Sequence, residues 1–154
     1  MVIRKAEKRD AGGMLLLLSQ VLSVHAAIRP DIFIPGTTKY TERELYELIE
    51  KSPVYVAAGE NGEVLGYAIC VLRGVQFSNT MHKRSTLFID DFCVDENARG
   101  RGIGSALFGY VKERARELGC DDITLVVWEG NDSARAFYEK MGMKPKETIM
   151  ELKV

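Results

Sequence analysis

Apolar side chains recur along the chain with two periods, and each period predicts one kind of element. Residues 2–5 alternate between apolar and polar side chains, which indicates a first strand. From Asp10, a candidate N-cap, apolar side chains follow at helical spacing as far as Leu22. The proline- and glycine-bearing stretch 26–39 is typical of a loop. Thr41 and the glutamate three residues later then predict a capping-box start for a second helix.

The middle of the chain has the pattern of an antiparallel meander. Strands are predicted over Val54 to Ala58 and Val64 to Leu72, and Asn61-Gly62 between them is a strong hairpin signal. A further loop leads to a third long strand, Arg84 to Val94, which runs into a glycine-rich turn. The meander therefore ends at a run of glycines, whose backbone can adopt conformations that other residues rarely adopt.

The last third of the chain predicts a crossover. A helix over 103–118 ends at Gly119, and the strand Ile123 to Trp128 is apolar apart from Thr124, as expected for a strand covered on both faces. Strand, helix and strand should form a right-handed unit that makes this strand the parallel neighbour of 84–94. The prediction is one α/β domain over 1–154, with a mixed, mostly antiparallel sheet, a central parallel pair and flanking helices.

Composition narrows the choice of partners. The 154 residues carry 21 basic and 22 acidic side chains, a net charge of -1, so no global field favours nucleic acid or an anionic membrane. The longest apolar run, Met14 to Leu18, is far too short to span a bilayer, and residues 1–7 lack a signal-peptide core, so we expect a cytoplasmic protein. With two histidines and three scattered cysteines, which we expect to be reduced, no metal is expected.

The glycine-rich turn has the features of a pyrophosphate cradle. Gly100, Gly102 and Gly104 permit close backbone approach, and the helix that follows offers unpaired N–H groups to an anion. Arg99 and Arg101 could add charge-assisted contacts to phosphate oxygens.

Two common phosphate motifs fit this turn poorly. A nucleotide-hydrolase loop requires a lysine after its last glycine, and here Ser105 follows Gly104. A dinucleotide fingerprint requires G-x-G-x-x-G, whereas the spacing here is G-x-G-x-G. Asp121 and Asp122 lie about where a dinucleotide-binding protein has the acidic residue that binds the ribose. Dinucleotide binding therefore stays as a weaker alternative.

Two ordered motifs instead resemble the GNAT superfamily of acyl-CoA-dependent N-acetyltransferases. Arg99-x-x-Gly102-x-Gly104 resembles its Q/R-x-x-G-x-G/A motif, and 131–143 resembles its N-x-x-A-x-x-F/L-Y-x-x-x-G-F signature. The resemblance is specific over 86–143 and implies that acetyl-CoA is the cosubstrate. It also implies that the strands 84–94 and 123–128 splay apart and that the pantetheine arm of acetyl-CoA binds beside them. The cofactor-binding residues it implies, together with those of the turn, are Phe92, Cys93, Val94, Arg99, Gly100, Arg101, Gly102, Ile103, Gly104, Ser105 and Asn131.

Tyr138 is the candidate catalytic residue. Its helical spacing alone is typical of a half-buried core tyrosine, but the resemblance implies a proton donor to the departing CoA thiolate. The general base stays open among Asp90, Asp91, Glu129, His25 and water. We expect Asp90 and Asp91, as neighbours on a strand, to face opposite sides of the sheet.

The resulting hypothesis is transfer of an acetyl group from acetyl-CoA to a primary amine by direct attack in a ternary complex. The acceptor, a small molecule or a peptide or protein amine, is not identified, and a homodimer is left open. Peptide N-termini are disfavoured because Val126 stands where the branch that acetylates ribosomal-protein N-termini often has a glutamate. The alternative is a non-catalytic acyl-CoA-binding sensor.

Overall fold

A computed structural model describes residues 1–154 as one five-stranded sheet with helices on both faces. The strands and helices, in chain order, are β1 (Val2–Lys5), α1 (Ala11–Ile28), α2 (Glu42–Lys51), β2 (Val54–Ala58), β3 (Val64–Arg73), β4 (Thr86–Val94), α3 (Ile103–Glu117), β5 (Asp122–Thr124) and α4 (Asp132–Lys140). The strand order is β1-β2-β3-β4-β5, with β4 and β5 parallel and all other neighbours antiparallel. The predicted fold class is confirmed.

The local signals that predicted element boundaries are present in the structure. The Thr41 hydroxyl accepts the Glu44 N–H while the Glu44 carboxylate accepts the Thr41 N–H, which closes the capping box at α2. Gly62 has a φ of 82° in the β2–β3 connection, a value that favours glycine. α3 carries the chain from β4 to β5 as the predicted crossover.

The first helix differs from its prediction at both ends. α1 continues to Ile28, three residues into the predicted loop, because Ala26 packs in the core instead of starting a turn. The Asp10 side chain does not cap α1. It accepts two bonds from Arg4, at 2.7 and 2.9 Å, and one from the Glu7 N–H, so this buried carboxylate ties β1 to the start of the helix.

The sheet has an apolar core on each face. The face toward α1 and α2 buries a cluster that includes Met14, Leu18, Leu45, Val56, Tyr67 and Ile69. The face toward α3 buries a second cluster that includes Ala68, Cys70, Leu87, Leu107 and Val111. The stretch Lys8–Ile28 is long and apolar enough by composition to cross a membrane, with a mean hydropathy of 1.7. Its apolar stripe packs against the sheet, which explains that composition.

β5 is shorter than the predicted strand. Its pairing with β4 runs only from Thr86↔Asp122 to Phe88↔Thr124, although β4 itself continues to Val94. Residues 125–128 belong to no strand, and Val126 is 65% exposed, so the prediction of a strand to Trp128 covered on both faces is wrong. The divergence of the two strands agrees with the splay that the family resemblance implied.

Candidate active site

A cleft of about 620 Å³ opens where β4 and β5 diverge. Its walls are the unpaired half of β4, the first turn of α3, the segment 125–128 and one side of α4. Of the residues predicted from the two motifs, those that line it are Phe92, Cys93, Val94, Arg99, Gly100, Gly102, Ile103, Gly104, Ser105, Asn131 and Tyr138. Arg101 is exposed and lies outside the lining. The two motifs, which begin at Arg99 and Asn131 in the sequence, therefore meet in one cleft.

The glycine turn presents backbone donors to the cleft. Gly100 and Gly102 have φ values of 76° and 78°, in the left-handed region that glycine tolerates best. The first intrahelical bond of α3 is donated by Ala106 to the Gly102 carbonyl at 3.0 Å. The N–H groups of residues 103–105 have no backbone partner and lie at the positive end of the helix dipole. This arrangement suits an anion such as a diphosphate.

Gly104 has a different reason to lack a side chain. A Cβ built there would lie 3.3 Å from the ring of Phe137 and 3.5 Å from Val94. Its role is therefore the close packing of α3 against α4 and β4, in addition to the approach of a ligand that the motif predicted.

Arg99 links the turn to the strand before it. Its Nε donates a 3.2 Å hydrogen bond to the Val94 carbonyl, so the guanidinium is oriented by β4 at the edge of the cleft. A positioned guanidinium loses little conformational freedom when it binds an anion. Asn131 has the local role expected of an N-cap, since its side chain accepts the Ala134 N–H at 3.4 Å.

Tyr138 projects from α4 into an aromatic cluster at the cleft. Its ring lies 5.2 Å from that of Phe137, 6.1 Å from Phe92 and 6.2 Å from Phe108, measured between centroids. Burial raises the pKa of the Tyr138 hydroxyl well above its usual value, and the charge of Asp91 adds to the effect. The hydroxyl is therefore protonated throughout the physiological range and can donate a hydrogen bond.

The acids of β4 do not face opposite sides of the sheet as predicted. The pairing with β3 passes from Ile69↔Asp91 to Cys70↔Ile89, so Asp90 is the extra residue of a β-bulge. A bulge reverses the alternation beyond it. Both carboxylates consequently reach the side of α1, where the Lys39 ammonium lies 2.9 Å from Asp90 and 3.8 Å from Asp91.

Asp91 is the most deeply placed acid of the cleft. Its side chain is 7% exposed and accepts a 2.7 Å hydrogen bond from the hydroxyl of buried Tyr67. Burial raises the pKa of the Asp91 carboxyl, while Tyr67 and Lys39 oppose the rise. Burial also lowers the pKa of His25, against the attraction of Asp91, so its imidazole is neutral at pH 7.

The other candidate base lies elsewhere. Glu129 is 89% exposed, forms an ion pair with Arg135 and is not part of the cleft lining.

The sequence interpretation missed Tyr40, whose hydroxyl donates to Asp90, as well as Lys39 and Tyr67. Tyr40 lies in the stretch before α2 and Tyr67 in β3, and only the fold brings them to β4. No local motif marks either of them.

The donors at the turn fit acetyl-CoA. Three free N–H groups, two left-handed glycines and one oriented arginine match the oxygens of a diphosphate, and the unpaired half of β4 offers backbone groups to an amide-bearing arm. The same cleft continues from the turn to Tyr138 and Asp91, so a ligand held at the turn can extend to both.

Gly102→Val should weaken acetyl-CoA binding about tenfold or more, a loss of about 1.4 kcal/mol, because the new side chain would fill space beside the cradle. Gly119→Val is the matched control at the other end of α3, since that glycine has a φ of 69° and the same open surroundings. Both variants should lose similar thermal stability, while calorimetric affinity should fall only in Gly102→Val. Equal affinities would exclude the turn as the cradle.

Comparisons with known proteins agree with this geometry. The model of the acetyltransferase (GNAT) family matches residues 21–143. An N-acetyltransferase of Methanocaldococcus jannaschii is 33% identical over 89 residues, and a thialysine N-epsilon-acetyltransferase of Bos taurus is 29% identical over 153 residues. These alignments cover 58% and 92% of the chain, and 38% and 82% of the two relatives.

Solved structures show the same fold over the whole chain. A mutant of the BH1408 protein from Bacillus halodurans has a TM-score of 0.94 at 33% identity, covering 100% of this chain and 99% of that one. An aminoglycoside N-acetyltransferase crystallised with CoA has a TM-score of 0.71 at 15% identity, covering 99% and 98%. The chain belongs to the GNAT family and is an acetyltransferase that uses acetyl-CoA.

Proposed function

We propose that the chain acetylates a primary aliphatic amine by direct attack in a ternary complex, with the acceptor ammonium bound at Asp90 and Asp91. The single observation that carries this proposal is Lys39. Its ammonium, itself a primary amine on a flexible stem, contacts both carboxylates and also donates a 2.9 Å bond to the Asp90 carbonyl. A site that holds one primary ammonium has the charge and the acceptors to hold another.

Lys39 does not obstruct this role permanently. It belongs to the irregular stretch between α1 and α2, and its side chain is 42% exposed, so it can turn toward solvent when a substrate amine arrives. The two carboxylates are largely buried, at 19% and 7% exposed, so an incoming ammonium replaces the charge that Lys39 takes away. The net charge of the two aspartates then attracts the cationic acceptor.

Asp91 is the base in this proposal. An alkyl ammonium has a pKa near 10.4 and must lose a proton before its nitrogen can attack. The raised pKa of Asp91 makes its carboxylate a better acceptor for that proton than an ordinary aspartate. His25, neutral and beside Asp91 in the same cleft, provides a second position through which the proton can reach solvent.

Acetyl-CoA supplies the acetyl group as a thioester. The glycine turn and Arg99 hold the phosphate end, so the reacting end is positioned by β4 and α4. The Tyr138 hydroxyl donates its hydrogen bond at the sulfur, where negative charge develops. Cys93 is not a nucleophile in this scheme, because burial raises the pKa of its thiol to about 12.

The bovine relative supports a side-chain amine as acceptor. Its name specifies acetylation at the epsilon nitrogen of thialysine, and its similarity extends over 92% of this chain. Lys39 likewise places a lysine side-chain ammonium beside Asp90 and Asp91. Small amines and amino acids with such side chains are therefore preferred over peptide N-termini.

The acceptor class can be tested with a panel of amines and detection of the released thiol. Lysine, thialysine, short diamines and a peptide with a free α-amine as its only amine should be compared at equal concentration. Turnover is expected with the side-chain amines and the diamines, and little with the peptide. Acetyl-CoA binding without turnover on any amine would instead support the non-catalytic sensor.

Asp91→Asn should lower kcat about a hundredfold, the usual contribution of a general base, with acetyl-CoA affinity unchanged. The parent should lose activity as the pH falls through the raised Asp91 pKa, above the ordinary aspartate value of about 3.9, because only the carboxylate accepts a proton. That acidic limb should be absent in the variant. Glu129→Gln, which alters an exposed acid outside the cleft, should match the parent at every pH; an unaffected Asp91→Asn would contradict the assignment.

Tyr138→Phe should retain the melting temperature and the affinity for acetyl-CoA, since the ring still packs on Phe92 and Phe137. Its kcat should fall about a hundredfold, because the hydrogen bond at the sulfur is lost. Tyr110→Phe is the control, as that ring packs on Tyr55 away from the cleft. Steady-state rates and calorimetry on the three proteins separate the outcomes, and a fully active Tyr138→Phe would remove the hydroxyl from the mechanism.

A further inference from the structure

Lys39 brings the protein's own primary amine to the acidic pair of the cleft. Its ammonium lies 2.9 Å from the Asp90 carboxylate and 3.8 Å from that of Asp91, and both acids line the cleft. The Lys39 side chain is 42% exposed, so it is held by these contacts and not by packing. It therefore has the chemical group and the binding contacts that the proposed acceptor requires.

The stretch around Lys39 is anchored so that the amine stays close to the acidic pair. The hydroxyl of the next residue, Tyr40, donates a hydrogen bond to Asp90, and the Lys39 ammonium lies 5.5 Å from the centroid of the Tyr40 ring. The Thr38 hydroxyl donates a 2.9 Å hydrogen bond to the Tyr40 carbonyl. A tethered amine has an effective concentration on the order of millimolar at its site, so Lys39 is present at the acids whenever free amine is scarce.

No other lysine of the chain has this environment. Four others form ion pairs, but with carboxylates outside the cleft lining, namely Glu50, Glu47, Asp122 and Asp31. Lys140 lines the cleft but forms no ion pair, so no carboxylate is placed to take its proton. Lys39 alone combines an amine with the candidate base.

We propose that Lys39 is a site of autoacetylation, modified in the cleft of its own chain while no free amine occupies the acidic pair. The inference rests on the proposed function, since it uses the same base and the same thioester. It differs in the acceptor, which is a side chain of the protein itself.

The group transfer balances without a further reactant. The Asp91 carboxylate takes one proton from the Lys39 ammonium, and the nitrogen lone pair forms a bond to the carbonyl carbon of the acetyl group. The bond from that carbon to sulfur breaks, its electron pair leaves with the sulfur, and a second proton from the nitrogen neutralises the thiolate. The products are Nε-acetylated Lys39 and free CoA, and the proton on Asp91 passes to solvent.

Acetylation removes the charge that Lys39 holds against the two acids. An amide nitrogen carries no positive charge, so the modified side chain loses its ion pairs with Asp90 and Asp91. A free ammonium that enters afterwards has no lysine to displace. The modification is therefore a single turnover per chain that opens the acidic pair to the acceptor.

Mass spectrometry of the full chain tests the proposal. The protein is incubated with acetyl-CoA in an amine-free buffer and digested at acidic residues, which releases residues 32–42 with Lys39 as their only lysine. Lys39 should become acetylated at a rate that does not change over about a tenfold range of protein concentration, as expected for an intramolecular step. Lys140 is the internal control for spontaneous modification of a cleft lysine, and it should react about tenfold or more slowly.

Two variants separate catalysis from simple proximity. Asp91→Asn removes the base, whereas Tyr138→Phe leaves Lys39 and both acids unchanged, and each should slow the acetylation of Lys39 about a hundredfold. Glu129→Gln, which alters an exposed acid outside the cleft, should match the parent. A diamine added in excess should also slow the modification, because it competes for the acidic pair.

An unmodified Lys39 in a chain that acetylates free amines would overturn this inference and leave the proposed function intact. Acetylation at the parent's rate in both Asp91→Asn and Tyr138→Phe, or a rate that rises in proportion to protein concentration, would also overturn it, because the cleft of the same chain would then not be responsible. An unmodified Lys39 together with no thiol release from any amine would contradict the proposed function as well.

Discussion

The separation of β4 from β5 after three residue pairs is the constraint on which the rest of this structure depends. Residues 89–94 of β4, apart from the bulged Asp90, keep their partner on β3 but have none on the other side, so their backbone groups are available to a ligand. The first turn of α3 lies at one end of the resulting cleft, and the aromatic rings of Phe92, Phe137 and Tyr138 line its wall.

The parts of the fold that follow from local chemistry were predictable from the sequence. The capping box at Thr41, the hairpin at Gly62 and the glycine turn before α3 each depend on a few adjacent residues, and the structure confirms all three. The end of β5 was not predictable in this way. Residues 125–128 have the composition of a buried strand, but a strand also requires a neighbouring strand to pair with. The sequence alone does not show that β4 and β5 diverge after Thr124.

The acidic pair illustrates the same limit in the candidate site. Two adjacent aspartates on a strand should alternate, and the bulge at Asp90 cancels that alternation by adding one residue against β3. Whether a strand bulges depends on its register with the neighbouring strand, which lies some twenty residues away in the sequence. Their place on the strand before the glycine turn made Asp90 and Asp91 candidate bases, but only the fold of the sheet shows that both carboxylates lie beside Lys39.

In the proposed mechanism, Tyr138 has both of the roles that the sequence presented as alternatives. Its ring belongs to the core on the α3 face, and the burial that this packing entails is what raises the pKa of its hydroxyl. A thiol has a pKa near 8.5, so complete proton transfer from so weak an acid to a thiolate is unfavourable. The hydroxyl is better suited to stabilise the developing charge on sulfur through a hydrogen bond that needs no rearrangement. The proton that finally neutralises the sulfur can then come from the group that took it from the amine, which links Tyr138 to Asp91 across one cleft.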